Sequence, residues 1–175
     1  EDAKVLQSVL RGEQRLLVRA EAANDILLVL ERKRDYPAIK MVLVGVSEGW
    51  RVADRIAASG VPVIASALND LPATFELLGA TQSNIGRMKD AGVKVSIGMI
   101  DDRDSHQLRY TTQYAGNLVS LQKVPRATGL TWDEAFAAIS SGPAEAMGMG
   151  DKLGSLKAGR VGDVVVWDGD PLELS

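Results

Sequence analysis

The sequence contains no cysteine, which excludes disulfides and thiolate zinc sites. It contains one histidine, His106. Zinc sites draw three or four protein ligands, so a self-contained zinc site is not expected. No apolar run approaches the roughly 18 residues of a membrane span. Runs of five or more basic residues are also missing; the formal charge is −3 and the pI is near 5.2. A nucleic-acid surface needs clustered Lys and Arg, so none is expected. The chain opens with Glu1-Asp2-Ala3, without Met and without the charged-then-apolar pattern of a signal, and a preceding segment is therefore expected.

What is present is the balance of a globular protein: 175 residues, 46% hydrophobic and 25% charged, enough for one ordinary domain with a sizeable core. Four β-rich runs stand out, Arg15–Arg19, Ile39–Val44, Pro62–Ala65 and Val93–Ile97. Each is apolar nearly throughout, as expected for strands of a parallel sheet covered on both faces. Segments of helical period lie between them. From Glu48 to Gly60, Trp50, Ala53, Ile56 and Ala57 share one face, with Ser47 as the expected cap and Gly60 as the left-handed stop. Trp50 is expected in the core. Gln82 to Gly92 repeats the design, capped by Thr81 with Ile85 and Met88 inward, and Asn24 to Arg34 reads the same way. The run Glu31–Asp35 reads as a solvated helix end whose bases suit the dipole.

A weak internal repeat supports this parsing. Ala58-Ser59-Gly60-Val61-Pro62-Val63-Ile64 is echoed by Asp90-Ala91-Gly92-Val93-Lys94-Val95-Ser96-Ile97, each joining a helix end to a strand through glycine. Such alternation implies βα units and a parallel sheet. Beyond Ile97 the spacing predicts helices over Asp104–Leu121, Thr131–Ser140 and Pro143–Met147. A last strand, Asp163–Trp167, follows a Gly-rich turn and reads as a hairpin strand of a separate small β element.

The stretch from Gly142-Pro143-Ala144-Glu145-Ala146-Met147 through Gly154-Ser155-Leu156-Lys157-Ala158-Gly159-Arg160-Val161-Gly162-Asp163-Val164-Val165-Val166-Trp167 resembles the closing segment of the amidohydrolase superfamily. In that superfamily a helix opening in Pro-Ala leads to a Gly-x-Leu-x-x-Gly turn and an Ala-Asp-Val-Val-Val strand; Gly162 stands where Ala is usual. Ser47-Glu48-Gly49-Trp50-Arg51-Val52-Ala53-Asp54, Gly60-Val61-Pro62-Val63-Ile64 and Leu68-Asn69-Asp70-Leu71-Pro72-Ala73 resemble its imidazolonepropionase-like branch. The resemblance implies an α/β fold, a partial TIM (β/α)8 barrel made of strands five to eight with their helices. Residues 1–150 would form the C-terminal half of the barrel, and 151–175 would enter a small β-sandwich domain.

The chemistry that the resemblance implies is hydrolysis of a C–N bond, in an amide or cyclic amide, by water activated on zinc or another divalent metal. The family's ligands are a His-x-His pair after the first strand, often a carboxylated Lys after the fourth, and single histidines after the fifth and sixth. An Asp after the eighth serves as ligand and base. The first two sets would lie outside this chain. After the fifth strand the position falls at Arg19 or Glu21, neither an imidazole; after the sixth it falls near Gly45 or Val46, which carry no ligand. Asp101, with Asp102 as the alternative, stands where the catalytic Asp belongs, although capping of a helix opening near Asp104 accounts for both equally. His106, in Asp104-Ser105-His106-Gln107-Leu108-Arg109-Tyr110, follows at a substrate-contact position. Arg19 and Glu21, at a strand's C-terminal end where barrel sites are built, are expected to pair with each other or to bind substrate.

Four staves leave two sheet edges with unpaired N–H and C=O groups and an apolar inner face. The chain is therefore expected to be a fragment, or to be covered by a missing N-terminal half or a second copy. Three functional classes remain: an amidohydrolase, a non-catalytic barrel homologue that binds or assembles, and a half-barrel subunit completing its site with a partner chain.

Overall fold

The computed structural model describes residues 2–100 and 107–173, with side chains from Leu6 onward. In chain order the elements are α1 (Asp2–Leu10), β1 (Arg15–Ala20), α2 (Ala23–Asp35), β2 (Lys40–Gly45), α3 (Ala53–Ser59), β3 (Val63–Ala65), α4 (Asn84–Asp90), β4 (Val95–Ile97), α5 (Thr111–Leu121), α6 (Trp132–Ile139) and α7 (Ser141–Ala146). Short 3-10 turns at Gly49–Arg51, Phe75–Leu77 and Leu108–Tyr110 sit between them.

The four strands form one parallel sheet in the order β1-β2-β3-β4. The β1–β2 ladder runs from Arg15↔Lys40 to Ala20↔Gly45. The β2–β3 and β3–β4 ladders are shorter, three pairs each, and meet at Ala65, which faces Gly45 on one side and Ile97 on the other. All four strands therefore end at one level.

The side chains alternate across this sheet. On one face Ala20, Met41, Leu43, Val63, Ala65, Val95 and Ile97 join a core with Ile26 and Leu30 of α2, Ile56 of α3, Ile85 and Met88 of α4, Leu118 of α5 and Ala135 and Ala138 of α6. Leu16 and Val18 pack on its margin. Burying a Leu, Ile or Met side chain completely contributes about 1.5–3 kcal/mol, so this layer dominates the stability. The opposite face carries Leu17, Arg19, Val42, Val44, Ile64 and Ser96. Near the strand starts α7 lies against β3 and β4, with Gly142 over the Ser96 hydroxyl, and Gly148 (φ +69°) abuts the Arg15 guanidinium. Val42, Val44 and Ser96 on this face are buried, and the cover is missing at the β1 edge, where Leu17 is 50% exposed.

The four strands and the helices α2 and α4 fall within one or two residues of the expected ranges, and Gly60 (φ +67°) and Gly92 (φ +86°) follow the ends of α3 and α4 in the left-handed region. Other expectations change. β1 is not covered on both faces, because its outer residues Leu17 and Arg19 have no layer above them. The helix expected over Glu48–Gly60 breaks at Val52 into a 3-10 turn and α3, and Ser47 does not cap it: its N–H and hydroxyl both donate to Glu21 instead. Trp50 is half-buried rather than core, its indole N–H donating to the Gly79 carbonyl at 2.8 Å with Arg87 over the ring. Thr81 does not cap α4, whose N-cap position is Ser83; its hydroxyl accepts the Ser83 N–H.

Within the segment expected as a helix over Asp104–Leu121, the described part starts as a 3-10 turn at Leu108 and becomes α-helical at Thr111. No strand forms at Asp163–Trp167: Val166 is 90% exposed, and a lone extended segment has no ladder to hold it. The expected cap at Thr131 is present as a reciprocal pair, Thr131 Oγ1 accepting the Glu134 N–H while the Glu134 carboxylate accepts the Thr131 N–H at 3.0 Å.

Two measurements follow from this packing. A Cβ at Gly86 would collide with the backbone carbonyls of Thr128 and Gly129. Gly86→Ala should therefore lower the urea unfolding free energy by about 1–3 kcal/mol, the cost of overpacking against rigid backbone. The Glu134 carboxyl is held below its ordinary value, chiefly by the Thr131 N–H. A carboxyl lowered on folding adds stability above its unfolded value and loses it as pH falls through the folded one. Because glutamine can complete the same capping box, Glu134→Gln should lose only the charge contribution at neutral pH, a few tenths of a kcal/mol at this exposed helix start, with the gap closing as pH falls through the unfolded and then the folded carboxyl value of the native chain.

Candidate functional site

Parallel strands bring their C-terminal ends to one side, and here those ends gather Arg19 and Glu21 after β1, the segment from Gly45 to Glu48 after β2, and Asn69 after β3. The turn after β2 carries an unusual backbone. Gly45 has φ +90° and Val46 has φ +58°, a left-handed conformation that costs a β-branched residue about 1–3 kcal/mol. The surroundings hold it there. The Val46 N–H donates to the Ala20 carbonyl at 2.9 Å, the Asn84 side-chain N–H donates to the Val46 carbonyl at 2.9 Å, and the Val46 side chain is fully buried.

Two carboxylates organise the loops around this turn. Glu21 accepts from Arg19 Nε at 3.0 Å, from the Ser47 N–H at 3.1 Å and from the Ser47 hydroxyl at 2.7 Å. Asn69 reaches the same hydroxyl through a long contact of 3.5 Å. The Glu21 side chain is 15% exposed and that of Arg19 54%, so the carboxylate is recessed and the guanidinium lies across its outer side. Glu48, 7% exposed, accepts the Ala23 N–H at 3.1 Å and the Gly79 N–H at 2.7 Å, with Arg51 at 3.7 Å. It thereby joins the first turn of α2 to the loop between β3 and α4. That loop exposes Leu71, Phe75 and Leu78.

Of the site residues expected from the sequence, the structure brings Arg19 and Glu21 together as the ion pair described. Asp101, Asp102 and His106 lie outside the described residues. The sequence reading named Gly45 only as a position without a ligand and did not single out Ser47, Glu48 or Asn69 for the site. Their only signal was position, a strand ending in glycine followed by small and acidic residues.

The donor chemistry at the β1 and β2 ends does not suit a divalent metal. A guanidinium has no lone pair to give, Gly45 has no side chain, and Val46 offers only hydrocarbon. The two carboxylates there are already engaged, Glu21 by three protein donors and Glu48 by the Ala23 and Gly79 N–H groups. Among the described residues no group of three His, Cys, Asp or Glu could hold a metal ion.

Comparison with known proteins gives one answer at three levels. The model of the amidohydrolase family matches residues 33–174, beginning after β1 and running nearly to the end of the chain. Imidazolonepropionase of Bacillus velezensis is 31% identical over 127 residues, covering 72% of this chain and 27% of that protein. The crystal structure of an amidohydrolase from Thermotoga maritima superposes with a TM-score of 0.82 at 22% identity, covering 97% of this chain and 42% of that one. A zinc-bound adenosine deaminase from Xanthomonas campestris superposes with a TM-score of 0.63 at 17% identity, over 93% of this chain and 40% of that one. The chain thus spans little more than a quarter of the curated relative and less than half of either solved structure. Its parallel sheet, its one-sided helical layer and the family match together place this chain in the amidohydrolase family, on the imidazolonepropionase-like side.

Proposed function

We propose that the chain is the C-terminal half of an amidohydrolase (β/α)8 barrel, β1 to β4 being its fifth to eighth strands, and that the ends of these strands form half of the mouth in which a small amide or cyclic amide binds. The parent reaction is metal-dependent hydrolysis of a C–N bond. Residues 151–169 would lead toward a small β domain, and the chain returns to the helical layer at Asp170, which accepts the Trp132 indole N–H, and at Leu172, which joins the core. The observation that carries this reading is the uneven cover of the sheet. One face is sealed by α2 to α6, while the other, buried at Val42, Val44 and Ser96, opens along the β1 edge at Leu17 and Arg19, below the recessed Glu21–Ser47 cluster. Sites in such barrels lie at the C-terminal ends of the strands, on the inner side. The edges at β1 and β4 would be paired by the other half of the cylinder, supplied by a preceding segment or by a second chain.

Metal, where the reaction uses one, would come from ligands beyond the β1 and β2 ends, with Asp101 the residue of this half at the family's catalytic position, Asp102 its alternative and His106 near substrate. A second reading has one specific observation in its favour. Arg19 and Glu21 form an ion pair at a position where the family's reaction needs an imidazole, and this supports a non-catalytic barrel that binds or assembles.

The readings separate on metal content and mass. Light scattering of residues 1–175 alone should give an oligomer or aggregate, because the β1 edge and the apolar Leu17 beside it are uncovered; a stable monomer would overturn the half-barrel assignment. For the full-length protein, elemental analysis should find about one divalent ion per chain, and cyclic-amide hydrolysis should disappear with chelation. Neither metal nor hydrolysis would select the binding barrel.

A further inference from the structure

The loss of imidazole at two neighbouring strand ends is a single coupled change. We infer that Arg19, Glu21, Gly45 and Ser47 form one interlocking set that ties β1 to β2 without metal, taking the place of the two histidines after the fifth and sixth strands. The placement of those histidines rests on the strand assignment proposed above; the interlock itself rests only on the geometry.

Register comes first. Arg19 faces Val44 and Ala20 faces Gly45 across the β1–β2 ladder, so the two strand ends are adjacent, and at Gly45, with φ +90°, the position a side chain would take lies toward Glu21. A metal ion held there would staple the two strand ends. In this chain the Glu21 carboxylate does the stapling. It leaves the end of β1, crosses over Gly45, and accepts both the N–H and the hydroxyl of Ser47, while Arg19 Nε closes it from outside at 3.0 Å.

The crossing is possible only because position 45 has no side chain. A Cβ built on Gly45 would lie inside the Glu21 carboxylate, overlapping both of its oxygens and its carbon. A side chain at 45 and the carboxylate at this place exclude each other. Glu21 in its observed pose therefore requires glycine at 45, and an imidazole at 45 would require Glu21 to leave. Arg19 has a matching role, since a recessed carboxylate is stabilised by a cation against it.

Gly45 has a second reason to be glycine, its φ of +90°, and the test separates the two. In the full-length protein, unfolding constants are compared for the native chain, E21A, G45A and the double variant. The backbone conformation penalises G45A in either background, whereas the collision penalises it only when the carboxylate is present. The factor by which G45A raises the unfolding constant should be at least about tenfold smaller with E21A than without it, as for removal of an overpacking contact. If G45A alone does not fold, recovery of a folded double variant reads the same coupling. Equal factors in both backgrounds, or a double variant that also fails to fold, would overturn the interlock.

A second readout concerns metal. The shift in melting temperature caused by a chelator should be the same for the native protein and E21A, because Glu21 ligates nothing. A shift that shrinks in E21A would make Glu21 a ligand and overturn the metal-free assignment. Light scattering of the isolated chain addresses the half-barrel reading separately, so failure of one leaves the other measurable.

Discussion

A parallel strand can reach its neighbour only by a crossover, and crossovers of one hand return on one side of the sheet. That constraint shapes this chain. The connections through α2, α3 and α4 carry it from β1 to β4 in sequential order, and all three helices contribute to a core on the same face. The other face receives α7 near the strand starts only. The sheet consequently has one solvent-sealed face, one partly open face and two edges, and every strand delivers its last residue to the same rim. A site at that rim follows from topology before any side chain is considered.

At the rim the chain turns sharply enough that backbone N–H groups lose their helical and ladder partners, and an unpaired buried N–H is costly. Two acidic side chains supply the missing acceptors. Glu48 takes the N–H groups of Ala23 and Gly79, two segments that no ladder connects. Glu21 takes that of Ser47. The strained Val46 is held between them by the Ala20 carbonyl and Asn84. These buried acids are positional: each sets where a loop leaves the barrel floor, and hence the shape of the mouth.

Much of the fold was legible because its signals are local. Apolar runs bounded by Gly60 and Gly92 marked the strands and helix stops, and the Thr131–Glu134 pair marked the start of α6. What escaped was decided by partners far along the chain. Ser47 has the composition of a helix cap, yet Glu21, 26 residues earlier, takes both of its donors. Trp50 fits the periodicity of a buried face, yet its N–H groups are drawn to Asn84 and Gly79, which leaves the ring half-buried. Asp163–Trp167 has the branched and aromatic residues of a strand, but β-propensity is realised only against a neighbour, and no ladder partner is present among the described residues. For the site, the Arg19–Glu21 pairing could be read from spacing along one strand; the part played by Gly45 could not, because it depends on what lies above its α-carbon.

Family membership and chemistry are carried here by different residues. The matched region, 33–174, is rich in the glycines, caps and apolar positions that build βα units, and it begins after the segment holding Arg19 and Glu21. Scaffold residues answer to packing, which tolerates few alternatives at Gly86 or Gly142, where neighbouring atoms leave no room for a side chain. Residues at the rim answer to the reaction, and a fold constrains them weakly. Strand-end side chains can therefore change their chemistry with the sheet intact, provided the change keeps the strand ends tied. The Glu21 carboxylate over Gly45 meets that condition: it supplies a link between β1 and β2 from within the chain, where a metal centre would need an ion from outside it.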